Sequence, residues 1–249
     1  MTASGRRVRG APRFGERAAL VFAAIFVAAV PFALLTALVK TAFRPLEHLD
    51  RDLAEDLHEY VLAHPTFTAA MRLVSDTGQP LVWWLVLTPV CIWLLSRRLN
   101  RLAATFVAVT AIGSSLLNLA IKIAIHRTRP QLPDALVVEP GKSFPSGHTQ
   151  AAIVGYGVLL LVSLPVIGRR YRPWLFAFAM AMVVLIGFSR IALGAHYLSD
   201  VIGAALIGSA WLLAMTAAFS AWRRERGLPP VTAEQGLEPE AARRLKPGA

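Results

Sequence analysis

Long apolar runs constrain this chain more than anything else in it. Six stretches, at residues 18–39, 80–96, 102–125, 149–168, 173–193 and 201–219, are apolar for long enough to cross roughly 30 Å of hydrocarbon. Inside a bilayer the backbone must satisfy its own hydrogen bonds, which leaves only helices and closed barrels. These runs are continuous rather than alternating, so the fold class expected is all-α, a bundle of six transmembrane helices. Composition agrees: 55% of residues are hydrophobic and 16% charged, where a soluble domain carries about a quarter charged. The first run reads as a retained span, because it is long, lacks a small-residue cleavage site and follows an arginine cluster.

Charge placement gives an orientation. Seventeen of the 26 Lys and Arg residues fall in 1–17, 97–101, 169–172 and the segment after 222, and such an excess marks the cytoplasmic side. Both termini are therefore expected inside, with the loops at 40–79, 126–148 and 194–200 outside. The net charge of +11 is spread over short segments beside apolar runs, not gathered on a soluble face, so a nucleic-acid partner is not expected.

Three regions follow: a basic cytoplasmic segment at 1–17, the six-span domain at 18–222, and a polar, proline-bearing tail at 223–249 expected to be disordered. Within the 40–79 loop, Leu53, Leu57, Tyr60 and Val61 recur at helical spacing among acidic residues, and Pro65 opens a second short stretch. One or two amphipathic helices along the outer membrane surface are predicted there. The single cysteine, Cys91, lies in an apolar run and reads as a core residue.

Three polar clusters sit at the outer ends of these spans. The first runs from Lys122 to Arg129-Pro130. Seven residues is close to two helical turns, so both cations face one way if the helix persists, though Pro130 disfavours helix at Arg129. Snorkelling to headgroups is the plain alternative. The second is Pro145-Ser146-Gly147-His148, directly before the fourth span. A helix start offers free amides and a positive dipole end to an anion, while an ordinary capped turn is the alternative. The third runs from Ser189-Arg190 to His196 and Asp200. Four residues apart on a helix, His196 and Asp200 share a face, and a carboxylate beside an imidazole fixes its tautomer and frees the other nitrogen to attack. Together these supply cations, histidines, a carboxylate and an anion-binding turn, the inventory phosphoryl transfer requires. No acidic cluster for magnesium and no thiolate or His-x-x-x-His set for zinc is present, so neither metal nor other cofactor is expected.

In this arrangement the chain resembles the type 2 phosphatidic acid phosphatase (PAP2) superfamily, whose signature is K-x6-R-P, then P-S-G-H, then S-R-x5-H-x3-D. Lys122 to Pro130, Pro145 to His148 and Ser189 to Asp200 match it in order. The resemblance implies a metal-independent, two-step membrane lipid phosphatase. It makes His196 the nucleophile, Asp200 its orienting partner and His148 the general acid. Lys122, Arg129, Arg190, Ser146 and Gly147 become phosphate ligands, with Ser189 assisting. His126 and Arg127 fall at variable positions and are expected at solvent or the interface, and so are His48, His58 and His64.

The implied substrate is a bilayer-anchored phosphate or diphosphate: a polyprenyl diphosphate of the undecaprenyl type, phosphatidic acid, phosphatidylglycerol phosphate or diacylglycerol pyrophosphate. The implied location is a bacterial inner membrane with the site on its outer side. Two other functions use the same residues differently: a phosphotransferase passing the group to another lipid, and a non-catalytic lipid-phosphate binder or transporter. The intact His196–Asp200 pair disfavours the last, because binding needs no positioned nucleophile.

Overall fold

The computed structural model describes residues 14–96, 101–137, 139–228 and 236–237, and these fold as an all-helical bundle. The helices are α1 (Phe14–Lys40), α2 (Arg44–Ala63), α3 (Pro65–Thr77), α4 (Pro80–Ser96), α5 (Arg101–Ile125), α6 (Gly147–Ser163), α7 (Arg172–Ala192) and α8 (Leu198–Glu225), with one 3-10 turn at Arg169–Tyr171. Prolines mark several starts: Pro45 and Pro65 occupy the first turns of α2 and α3, where a missing N–H removes no helical bond.

Among the described residues α5, α7 with its leading turn, and α8 are each long and apolar enough to cross a membrane. The count reaches five if the bent pairs α1–α2 and α3–α4 are each one broken span, the bends being 87° and 42°. α6 is apolar but spans only 17 residues, so the run expected at 149–168 stops being helical at Ser163. Large apolar side chains such as Phe26, Leu34, Leu85, Ile92, Leu116, Phe178 and Val184 are exposed along the helices. So much contiguous apolar surface on a soluble protein would aggregate, and here it suits lipid.

The interior is a seam between α4, α5, α6 and α8, where Trp83, Leu87, Leu94, Phe106, Val107, Val158 and Phe219 are buried together. α1 lies along α8, and α3 lies on α7. A polar strut crosses the seam: Asn118 donates to Gln150 (2.9 Å), whose own amide donates to the Ser114 carbonyl (3.0 Å) and hydroxyl (2.9 Å). In an apolar surround such bonds are a common means of fixing helix register.

α2 and α3 do occupy the 40–79 region as helices with apolar faces, but they do not merely lie on a surface. α2 buries Asp50, Ala54, His58 and Val61 against the bundle, and α3 buries Thr68, Met71 and Ser75. The segment assigned to the tail begins inside α8, which runs on to Glu225. Leu237 is buried and its N–H bonds to the Leu161 carbonyl at 2.7 Å. Residues 229–235 and 238–249 of the tail, the arginine cluster up to Arg13 and residues 97–100 lie outside the described residues.

Candidate active site

The three clusters meet at one end of the bundle. α5 ends at Ile125, so Lys122 stands on the helix and Arg129 beyond it. The shared helical face expected of the pair is replaced by a turn at His126, whose φ is 55°. Lys122 Nζ lies 3.8 Å from where a Cβ on Gly147 would be, beside the start of α6. There Ser146 caps the helix, accepting from Thr149 Oγ1 at 3.1 Å, and its own N–H bonds to the Asp200 carbonyl at 3.1 Å. The peptide bond between Phe144 and Pro145 is cis. First-turn amides of a helix have no carbonyl four residues back, so this start is suited to an anion, with an ammonium beside it.

His196 is not on α8. The chain leaves α7 at Ala192, turns through Gly194 at a φ of 71°, and His196 N–H bonds back to the Arg190 carbonyl at 3.1 Å. A positive φ of that size strains any residue with a Cβ, which is why glycine serves there. Asp200, in the first turn of α8, reaches back to accept from the Tyr197 N–H at 2.9 Å. That return places Oδ2 3.4 Å from His196 Nδ1, so the pair forms through a helix-start geometry, not a common helix face. Ser143 donates to the same Oδ2.

The other ring nitrogen, Nε2, lies 3.1 Å from Arg129 Nη1, which also donates to the Ala195 carbonyl at 2.8 Å. A guanidinium only donates, so Nε2 holds a lone pair and Nδ1 the proton. Burial strips water from His196 and lowers its pKa to about 4, although Asp200 pulls the other way. The imidazole is therefore neutral near pH 7, with its free lone pair beside a cation.

Arg190, in the last turn of α7, is buried and donates to Ser75 Oγ of α3 at 2.6 Å. Among the described residues, the Nε atoms of Arg129 and Arg190 are buried and make no hydrogen bond. Buried donors without partners are uncommon and ask for a ligand. His148, one residue into α6, is buried within the electrostatic reach of Arg190, His196 and Lys122. Ser189 is buried, but its hydroxyl donates to the Ile186 carbonyl in its own helix at 2.7 Å. Among the described residues no three His, Cys, Asp or Glu side chains gather as a metal site would.

Three further residues of this cluster are not among those expected from the sequence. Arg127, expected at solvent, is only 14% exposed: it donates to Asp200 Oδ1 and to Asp50 Oδ2, both at 2.7 Å, and lies over the Tyr197 ring at 4.4 Å. Asp50, buried on α2, also accepts from the Ser199 N–H at 2.9 Å. Glu139 bridges Arg190 Nη2 and Arg129 Nη2, the latter at 3.2 Å. Burial alone would raise the Glu139 carboxyl, but Arg190 first, then His148 and Arg129, hold it below the usual carboxylate range. His58 is a further correction: it is buried, and its Nε2 meets the Pro133 carbonyl at 2.5 Å, so it anchors the 126–146 loop. His48, His64 and His126 are exposed, as expected.

Fold and site together define a multi-pass helical membrane protein with one buried, cation-rich site assembled from three distant sequence segments. Residues 102–224 match the model of the PAP2 superfamily. The chain is 38% identical over 96 residues to a phosphatidylglycerophosphatase B of Bacillus subtilis, a match spanning 37% of this chain and 46% of the relative. It is 28% identical over 153 residues to an undecaprenyl-diphosphatase of Sulfolobus acidocaldarius, spanning 59% of this chain and 68% of that one. The chain thus aligns with less than half the length of the first relative. Its fold superimposes on the crystal structure of a transmembrane PAP2-type phosphatidylglycerolphosphate phosphatase from Bacillus subtilis with a TM-score of 0.70. That likeness covers 78% of this chain and 94% of the other at 21% identity.

Proposed function

We propose that this protein is a membrane lipid phosphatase that hydrolyses a terminal lipid phosphate or diphosphate through a phosphohistidine. The observation that carries the reading is the two-sided hold on His196: Asp200 on Nδ1 at 3.4 Å and Arg129 beside Nε2 at 3.1 Å. A nucleophile whose lone pair adjoins a phosphate-binding cation is placed for attack on phosphorus.

In the first step the Nε2 lone pair forms the N–P bond while the P–O bond to the lipid breaks. The departing oxygen takes its electron pair and a proton from His148, which the phosphate's negative charge must first help to protonate, because burial and then Arg190 lower its pKa to about 3. Asp200 stabilises the imidazolium, and Lys122, Arg129, Arg190, Ser146 and the Gly147 amide hold the phosphoryl oxygens. Ser189 joins that set only if its hydroxyl turns away from Ile186. In the second step water attacks phosphorus, the N–P bond breaks, His148 regains a proton, and inorganic phosphate leaves. Lys, Arg and helix-start amides supply the charge stabilisation that metal ions give elsewhere.

The arrangement further proposed is six spans, both termini cytoplasmic, and the site at the outer headgroup level of a bacterial inner membrane. The lysine and arginine asymmetry supports it. A bilayer-anchored phosphate fits a site at that level. The names of the two relatives favour phosphatidylglycerol phosphate and undecaprenyl-type diphosphate as first substrates to try.

The test is phosphate release in detergent with EDTA present, from these lipids and phosphatidic acid, comparing wild type with His196→Ala. Release that survives EDTA and falls on the order of 10³-fold or more in the variant supports the reading. Phosphorylation of an added lipid in place of phosphate release would make the protein a transferase. Turnover by His196→Ala at the wild-type rate would refute the histidine route.

A further inference from the structure

Glu139 stands where the proposed substrate's phosphate has to go. It lies in the loop between the first two clusters, on no helix. One carboxylate oxygen accepts from Arg190 Nη2 and the other lies 3.2 Å from Arg129 Nη2. Two oxygens on one centre, each facing a guanidinium, reproduce two oxygens of a phosphoryl group. The arginines are 3% and 11% exposed, whereas the Glu139 side chain is 26% exposed and borders solvent. Its cationic partners are thus fixed in the bundle, Arg190 by Ser75 and Arg129 by the Ala195 carbonyl. Arg129 shares the loop with Glu139 but is held by the Ala195 carbonyl, whereas the carboxylate is the more exposed of the three groups.

We propose that Glu139 is a tethered competitor for the phosphoryl pocket, holding the two arginines when the site is empty and displacing inorganic phosphate after turnover. The proposal rests on the phosphatase reading for its place in the cycle. A pocket with three cations and a helix start binds its product tightly, and each cation that stabilises the transferring group also retards release. A carboxylate on a short loop acts at an effective concentration in the millimolar range. It therefore competes with free phosphate without leaving the protein. The exchange involves no covalent step: phosphate leaves as Glu139 enters, so the pocket never holds bare buried cations, which are costly without partners. Competition of this kind weakens substrate and product alike, so it raises KM while it speeds release.

The experiment uses the full-length protein in detergent, with inorganic phosphate as the probe. The dissociation constant comes from thermal-shift titration, and the inhibition constant and KM from phosphate release. In Glu139→Gln and Glu139→Ala, inorganic phosphate is expected to bind about tenfold tighter or more, with KM for a lipid phosphate falling in similar proportion. Unchanged or weaker phosphate binding would overturn the proposal, since it would make Glu139 a brace for the arginines. Should both variants fail to fold, hydrogen exchange on the wild type decides. Saturating phosphate is expected to speed exchange in the loop around Glu139, and unchanged or slowed exchange there overturns the proposal. If no lipid phosphate is hydrolysed, the phosphatase reading fails, yet the phosphate-binding comparison still tests the competitor.

Discussion

Arg127→Met isolates the part of the site that the signature residues do not contain. Arg127 is the only cation hydrogen-bonded to both Asp50 and Asp200 among the described residues, and those carboxylates are 1% and 0% exposed. Methionine keeps much of the volume and removes the charge. Breaking a buried ion pair from one side costs about 3–5 kcal/mol, because the partner stays buried and uncompensated. For a protein of this size about 1 kcal/mol moves Tm by roughly 2–4 °C, so Tm is expected to fall by roughly 6–20 °C. Without Arg127 buried negative charge is left uncompensated there, and the folded variant is expected to take up a proton. The sign then follows: the folded variant binds more protons than the unfolded chain, so its stability falls as pH rises. The gap from wild type should be narrower at pH 5 than at pH 8. Phosphate release should fall too, since Asp200 loses the ion pair that helps to hold it beside His196. Asp50→Asn on the Arg127→Met background should recover part of the lost stability, the coupling expected of residues in one network. The assay is thermal unfolding in detergent across that pH range, with phosphate release on the same samples. A Tm within about 2 °C of wild type at pH 8, or a gap that widens toward pH 5, would refute the reasoning.

Two more predictions concern the histidine and the turn before α6. Burial lowers the His196 pKa to about 4, and protonation there removes the attacking lone pair. The acid limb of kcat/KM, once divided by the substrate's dianion fraction, should therefore fall well below pH 6, and a limb at the ordinary histidine value near 6.5 would contradict the assignment. Gly203→Ala would place a Cβ 2.6 Å from Phe144 Cε2, against a ring that is fully buried. Overpacking of that kind costs about 1–3 kcal/mol and pushes on the segment leading to Ser146, so both Tm and phosphate release should drop; no change in either would show that the ring yields freely.

Apolar length and residue chemistry determined much of this protein before any folding was considered. The runs at 102–125, 173–193 and 201–219 became α5, α7 and α8, because a membrane-length apolar segment has few ways to satisfy its backbone. Lys122, Arg129, His148, Arg190, His196 and Asp200 were legible as one candidate set, since their side chains suit one chemistry and their spacing matches a signature. Their geometry was not. The Lys122–Arg129 and His196–Asp200 spacings suggested shared helix faces, yet the helix stops at Ile125 in one case and starts at Leu198 in the other. A helix end is set by what the terminal groups meet, and here the Tyr197 N–H meets the Asp200 carboxylate. Asp50, Arg127 and Glu139 were illegible for a related reason. Each gains its role from a partner more than 50 residues away, as Glu139 does from Arg190 and Asp50 from Arg127. A local pattern records periodicity and neighbours in sequence, whereas charge pairing across a buried site depends on which loops the bundle brings together.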